Sequence, residues 1–208
     1  AELKIVDATN LFLERLKGKY GGKKKRLMVQ SGYRDVLEHQ IRLFGANLIG
    51  QGTLITDVTE SGGGLPGERK GTKKVHHNML DFSVNKVEPL SKLTKDTARL
   101  IGRELGVPEE LLTADPMPGP GFAVRIEGEV TPSKLKRIQK IDAIWIGELK
   151  KHKHYNSIWQ PGADLTKACH SSGKGDERGA GATVVLWALN TSTGVTAVPA
   201  NLPRDFLM

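Results

Sequence analysis

A single cysteine, Cys169, stands in the whole chain. It excludes an internal disulfide and any cysteine-rich zinc module, and it favours a reducing, cytoplasmic compartment. No apolar run approaches the length of a membrane span and the chain opens on no signal-peptide pattern, so no membrane partner is expected. Aromatic residues make up only 5%, and Tyr20 alone stands near the basic run 23–26, which gives single-stranded nucleic acid no stacking platform. Three phosphate-binding patterns are missing: G-x-x-x-x-G-K-[ST], G-x-G-x-x-G and S-G-G-x-D-S. Whatever nucleotide such a fold handles, its phosphate-cradling loop is not in this chain. Internal repeats are absent too.

What the chain does have is positive charge, 31 basic residues against 23 acidic ones, a formal +8. A surplus of this kind serves nucleic acid, a nucleotide or another polyanionic small molecule alike; without interleaved aromatics, nucleic acid is the weakest of these. Hydrophobic residues at 38% and charged residues at 26% are ordinary for a globular protein, and 208 residues suffice for one large domain or two small ones. The opening A-E-L-K-I-V-D-A starts inside what reads as a strand, the abrupt start expected of a fragment.

Residues 115–125, D-P-M-P-G-P-G-F-A-V-R, divide the pattern. Proline fixes φ, removes a donor and pushes its predecessor out of the helical region, so 116–121 is a stiff elbow between two packing units. Before it, residues 3–7 alternate as a strand would, with Thr9 or Asn10 as N-cap of a short helix through residue 17. Residues 18–26 read as a flexible basic loop, and 28–44 carry apolar residues at helical spacing, predicting a helix over at least 33–44. A short strand in 46–54 runs into a polar turn; 61–71 is a glycine-rich surface loop; 82–90 is irregular or extended. Thr94 caps a helix over 95–105 with an Ala98, Ile101, Leu105 stripe, and 108–112 form one more turn. Strand and helix thus alternate, which predicts a parallel α/β layer. After the elbow, 122–130 read as a strand. Thr131 and Pro132 open a long helix to about residue 150 with Leu135, Ile138, Trp145 and Leu149 inward. Residues 183–189, T-V-V-L-W-A-L, read as a buried strand before a turn at 190–194. This half is α+β.

Two clusters carry candidate chemistry. Gln51, Gly52, Thr53, Asp57 and Glu60 follow a strand at the sheet edge where open α/β folds bind ligands. There Gly52 allows close approach, Thr53 offers a hydroxyl, and Asp57 suits a cation near phosphate; the alternative is a polar turn with solvated carboxylates. Lys73, Lys74, His76 and His77 suit a loop closing over a phosphorylated substrate, or a plain solvated basic loop. Adjacent histidines on an extended segment point apart, which argues against a shared zinc site. The run 23–26 is a phosphate-handling loop or a solvated one. Cys169 beside His170 is incidental.

An ordered set of motifs resembles one family, the synthetase part of glutamine-hydrolysing GMP synthase. The set comprises V-D-A at 6–8, K-R at 25–26, Q-G-T-L-x-x-D-V-x-E-S at 51–61, K-x-H-H-N at 74–78, E-P-L at 88–90 and K-D at 95–96. It continues with G-R-E-L-G-x-P-E-E-L at 102–111, P-x-P-G-P-G-x-A-V-R at 116–125, G-E-V-T at 128–131, D-A-I at 142–144, W-Q at 159–160, G-D-E-R at 175–178 and L-P-x-D-F-L at 202–207. The resemblance implies a ligase of purine biosynthesis in which ATP adenylates the O2 of XMP and ammonia displaces AMP, giving GMP and pyrophosphate.

It also implies a partial adenine-nucleotide-hydrolase-like (Rossmann-like) parallel sheet over 1–117, and a smaller α+β dimerisation domain, truncated at its C-terminus, over 118–208. Carried over by position, Gln51, Gly52, Thr53 and Asp57 would lie in the ATP site, with Asp57 orienting Mg²⁺. Lys74, His76 and His77 would form the lid, with Lys95 and Asp96 beside it, and Arg125 and Arg178 would anchor the XMP phosphate or brace the dimer. Lysine and histidine cations would neutralise charge on the departing phosphates. The implied partners are XMP, a glutaminase domain or subunit, and a second copy in a homodimer. The family's S-G-G-x-D-S loop would precede Ala1 and its K-P-P-x-T-I-E-W-E would follow Met208; Val75 and Thr97 also depart from its pattern. The expectation is therefore a partial synthetase, inactive by itself, or alternatively a noncatalytic nucleotide-binding or subunit-interaction module.

Overall fold

A computed structural model describes residues 3–55, 57, 82–112, 119–174, 177–191 and 196–208, with the backbone alone at 171–174 and 177–180. The chain divides into two compact units, one of Ala1–Arg15 and Arg26–Ala114, the other of Leu16–Lys25 and Asp115–Met208. No helix among the described residues is long and apolar enough to cross a membrane.

In the first unit, residues 3–8 form no strand, and Leu3 and Ile5 are 85% and 87% exposed. Alternation makes the segment extended, but a strand needs a neighbour, and no described residue pairs with it. Helix α1, Thr9–Leu16, is opened not by Thr9 or Asn10 but by Asp7, whose Oδ1 accepts from the Thr9 N–H at 2.9 Å. Helix α2, Gly22–Phe44, runs longer than expected. The lysines read as loop are its first turn, because Lys and Arg are good helix formers once the glycine pair is behind them. Phe12 of α1 meets Tyr33 of α2 edge to face at 5.2 Å, and Arg15 reaches Ser31 and Asp35.

Strands β1, Leu48–Gly50, and β2, Asn85–Val87, pair in parallel, Leu48 opposite Asn85 and Gly50 opposite Val87. Helix α3, Lys95–Glu104, is capped as expected: Thr94 Oγ1 accepts from the Thr97 N–H at 3.2 Å. Its apolar stripe does not form a core, since Ile101 is 38% and Leu105 77% exposed. The turn α4, Glu109–Leu112, packs instead on the Gly102 side, where the Leu112 side chain lies over the glycine and Arg99 Nε donates to the Leu112 carbonyl at 2.8 Å.

In the second unit, residues 122–130 are not a strand. A short 3-10 turn, Gly121–Ala123, leads to one isolated parallel bridge, Ile126 with Leu165. Gly121 and Gly128 take left-handed φ values of +56° and +82°, and these interrupt any longer ladder. Helix α5, Pro132–Lys151, begins at Thr131, whose Oγ1 accepts from the Lys134 N–H at 3.3 Å. It buries Ile138, Asp142, Trp145 and Leu149, with Leu135 half-buried.

Strand β3, Gln160–Lys174, was not legible, because its sequence shows no apolar alternation and includes proline and glycine. It forms through pairing with the antiparallel β4, Glu177–Asn190, with a register shift between Leu165 and Cys169. The apolar run 183–189 lies in β4 but is not buried: Val185 and Leu186 are 47% and 49% exposed. An antiparallel sheet can leave one face uncovered, so an apolar run does not prove burial. Strand β5, Val198–Pro199, joins the other edge of β4, and the last helical turn is α6, Arg204–Leu207. Trp145, Leu149 and Ile158 form a core against Tyr155, Ala188, Ala200, Leu202 and Phe206. The molecule is α/β, with a parallel strand pair in one unit and a helix-backed antiparallel sheet in the other.

Candidate functional site

In the first unit, the ends of β1 and β2 lead into one polar cluster. The Gln51 N–H donates to the Val87 carbonyl at 2.9 Å, extending the ladder one residue beyond the strands. The chain then turns so that Thr53, 1% exposed, donates from Oγ1 to Glu88 Oε1 at 2.6 Å, while Lys86 Nζ stands 3.5 Å from the same carboxylate oxygen. Ser91 Oγ donates to the Glu88 carbonyl at 2.8 Å, and the Ile55 N–H donates to the Leu93 carbonyl at 3.1 Å. That last bond ties the segment after β1 to the residue before the Thr94 cap. Lys95 and Asp96, in the first turn of α3, therefore start beside the strand ends; Asp96 sits 3.8 Å from Arg99.

Gln51, Gly52 and Thr53 thus follow β1 directly, Lys95 and Asp96 come two and three residues after Leu93, and Asp57 accepts the Leu54 N–H on Oδ2 at 3.0 Å within its own turn. Glu88 is the member to which the sequence pattern assigns no role. Its signal is the E-P-L motif at the end of an extended segment, and its position opposite Thr53 becomes visible only once the two strands pair. Gln51 Oε1 is buried without a hydrogen-bond partner. The donors here are hydroxyl and carboxylate oxygens, the type a hard divalent cation takes. Among the described residues no three His, Cys, Asp or Glu side chains converge on one point. A Mg²⁺ ion here would fit only with phosphate and water oxygens completing its shell, as is usual for this ion.

Lys74, His76 and His77 lie outside the described residues. Arg178 is in β4 opposite Gly173, described by its backbone alone. Arg125 is in the second unit and is committed inward. At 6% exposure its Nη1 donates to Asp142 Oδ1 at 3.1 Å, and its guanidinium lies 4.9 Å from the Trp187 ring and 5.6 Å from that of Phe122. Asp142 Oδ1 also accepts the Ala163 N–H at 3.1 Å. Burial pushes the Asp142 carboxyl above its ordinary range, with Arg125 and the Ala163 N–H acting against it. In this geometry Arg125 holds α5, β3 and β4 together, while its Nε is buried without a hydrogen-bond partner.

The fold and this cluster define an α/β protein with a polar, oxygen-rich edge at the carboxyl ends of parallel strands. Comparison with known proteins makes the class specific: the chain is a sequence relative of the glutamine-hydrolysing GMP synthases. It is 37% identical over 209 residues to GMP synthase [glutamine-hydrolyzing] of Thermotoga petrophila, covering 99% of this chain and 41% of that protein. It is 41% identical over 210 residues to the enzyme of the same name from Aquifex aeolicus, with the same coverage. The Helicobacter pylori enzyme is 40% identical over 218 residues. The chain therefore spans about two-fifths of the length of the curated relatives it matches. No family model matches it. The resemblance carried by the ordered motifs is borne out.

Proposed function

We propose that this chain is the synthetase portion of a GMP synthase, a ligase that uses ATP to aminate XMP through an adenyl-XMP intermediate, releasing AMP and pyrophosphate. The observation that carries the reading is the coincidence of two facts. The chain is related to GMP synthases over nearly its whole length, and Gln51, Thr53 and Glu88 lie just past the carboxyl ends of parallel strands.

In this reading the first unit is the later part of a Rossmann-like ATP-pyrophosphatase domain, and the second is the dimerisation domain, with the boundary near 117–118. Gln51, Gly52 and Thr53 receive ATP, and Glu88 fixes the Thr53 hydroxyl. Asp57 is the protein ligand of Mg²⁺, which supplies charge neutralisation on the leaving pyrophosphate. Lys74, His76 and His77 belong to the lid, and Lys95 and Asp96 flank it. Arg178 contributes to XMP binding, and Arg125 acts as a brace. Ammonia comes from a glutaminase domain or subunit, and the protein works in the cytoplasm as a homodimer.

The test is XMP-dependent AMP formation by the intact protein carrying Thr53→Val or Glu88→Gln. Each substitution is expected to lower the rate by roughly tenfold or more, the effect of losing one buried hydrogen bond to a charged group. Rates unchanged in both, with normal melting, would overturn the assignment of this edge. One observation favours the noncatalytic alternative: Thr53 and Asp57 are engaged by Glu88 and by the Leu54 N–H rather than turned outward. Absence of XMP-dependent AMP formation by the unsubstituted intact protein would establish that alternative.

A further inference from the structure

Lys86 lies in β2 and Glu88 is the first residue beyond it. Residues two apart in extended chain share a face, and here the two half-buried side chains pair, with Lys86 Nζ 3.5 Å from Glu88 Oε1. The same oxygen accepts the Thr53 hydroxyl at 2.6 Å. Glu88 Oε1 is therefore held from two sides, by a cation of its own strand and by a donor from the segment after β1. The ladder register prepares this meeting. Ile49 lies opposite Lys86, Gly50 lies opposite Val87, and the Gln51 N–H donates to the Val87 carbonyl, which brings Thr53 within reach of Glu88.

Lys86 is the least exposed of the three β2 residues, the position that a strand of a parallel sheet ordinarily gives to an apolar side chain, as Ile49 does across the ladder. What the lysine does there is electrostatic. A carboxylate beside Thr53 repels an incoming anion, and a half-buried charge is screened less than a solvated one. Yet Glu88 is the acceptor that orients the Thr53 hydroxyl, so its charge cannot be removed without loosening that bond. An ammonium only donates; it offsets the charge and leaves the acceptor role to Glu88.

We propose that Lys86 is a positioning residue for an anionic nucleotide: acting through Glu88, it steadies the carboxylate that orients Thr53 and offsets its charge, so that the strand edge admits a polyphosphate. The proposal rests on the reading of that edge as the ATP site. An uncharged nucleoside gains nothing from Lys86. A partly exposed ion pair contributes little to folding, so the effect of Lys86 falls on affinity for the charged ligand rather than on stability.

Calorimetric titration of the intact protein with Mg·ATP and, separately, with adenosine decides the matter. Lys86→Met should raise the ATP dissociation constant about tenfold, the effect of one uncompensated charge near the phosphates, and leave that for adenosine within about twofold. Lys86→Gln should do the same and serves if the first variant does not fold, while Lys86→Arg, which keeps the charge, should restore ATP affinity. In a Glu88→Gln background, Lys86→Met should cause no further loss, because the charge it offsets is gone. Three results would each overturn the proposal. One is an ATP affinity unchanged in both truncations. Another is an equal loss for ATP and adenosine, the mark of a merely structural residue. The third is full additivity with Glu88→Gln. The unsubstituted protein decides the underlying reading separately. If it binds Mg·ATP but forms no AMP with XMP, the ligase reading fails and the variants still decide the role of Lys86. If it binds no Mg·ATP, the edge is not an ATP site and both fall.

Discussion

Arg125 and Asp142 face each other inside the second unit, 7% and 8% exposed as side chains and 3.1 Å apart. Removing one partner of such a pair strands the other without compensation. Arg125→Ala is expected to cost about 3 kcal/mol in urea unfolding near neutral pH. The sign of its pH dependence comes from Asp142, whose folded-state pKa is already raised. A carboxyl of that kind contributes stability below its unfolded pKa and loses it as pH rises through the folded value. Without Arg125 the folded pKa rises further, so the variant should be closer to the wild type at pH 4 than at pH 8. Arg125→Met with Asp142→Leu together should recover most of the loss. A uniform loss across that pH range would show that packing on Trp187 and Phe122, not charge, is what Arg125 provides. At this scale the sequence was half informative. Arg125 stood out at the end of F-A-V-R, but its partner sits on the apolar face of a helix, where periodicity assigns only hydrophobic residues. A buried acid there is visible only through the contact itself. Thr53 was singled out while Glu88 stayed inside a motif for the same reason.

The elements most readable in the sequence were those whose start is encoded in a few adjacent residues. Thr94 and Thr131 both cap helices as their sequence neighbourhoods require, and Pro132 sits where its missing N–H costs nothing. Thr131→Ala and Thr94→Ala should each destabilise by about 1 kcal/mol, measured by denaturant midpoints at constant slope. The expected contrast lies in which part unfolds. Helix α5 carries Trp145 and Leu149 of the second core, so Thr131→Ala should lower global stability, whereas α3 is largely exposed and Thr94→Ala should show mainly as faster local hydrogen exchange. Equal global losses would contradict this ordering. Strands were read less well because a strand is made by its partner. Residues 3–7 have the alternation and no neighbour among the described residues, while β3 has a neighbour and no alternation. A parallel layer was anticipated from the alternation of strand and helix, but the strand that pairs with β1 is β2, inside the segment 82–90 read as irregular or extended.

For the molecule as a whole, the two compact units are not contiguous in sequence: Leu16–Lys25 belongs with Asp115–Met208. Nothing in a basic, glycine-containing stretch announces a partner more than a hundred positions away, which is why the sequence placed it in a solvated loop. Yet Gly18 bonds to Glu129 across 111 residues and Lys25 to Ile126 across 101. On a ribosome, that stretch emerges long before the residues that receive it. Closing so long a loop costs entropy before any contact rewards it, and pairings of this range are slow to form. The second unit should therefore be the late one to mature after synthesis or dilution from denaturant. In pulse-labelling exchange, the Gly18 and Leu165 amides should gain protection together, after those of β1 and β2; early protection at Gly18 alone would mean that the stretch finds its place without waiting for its distant partner.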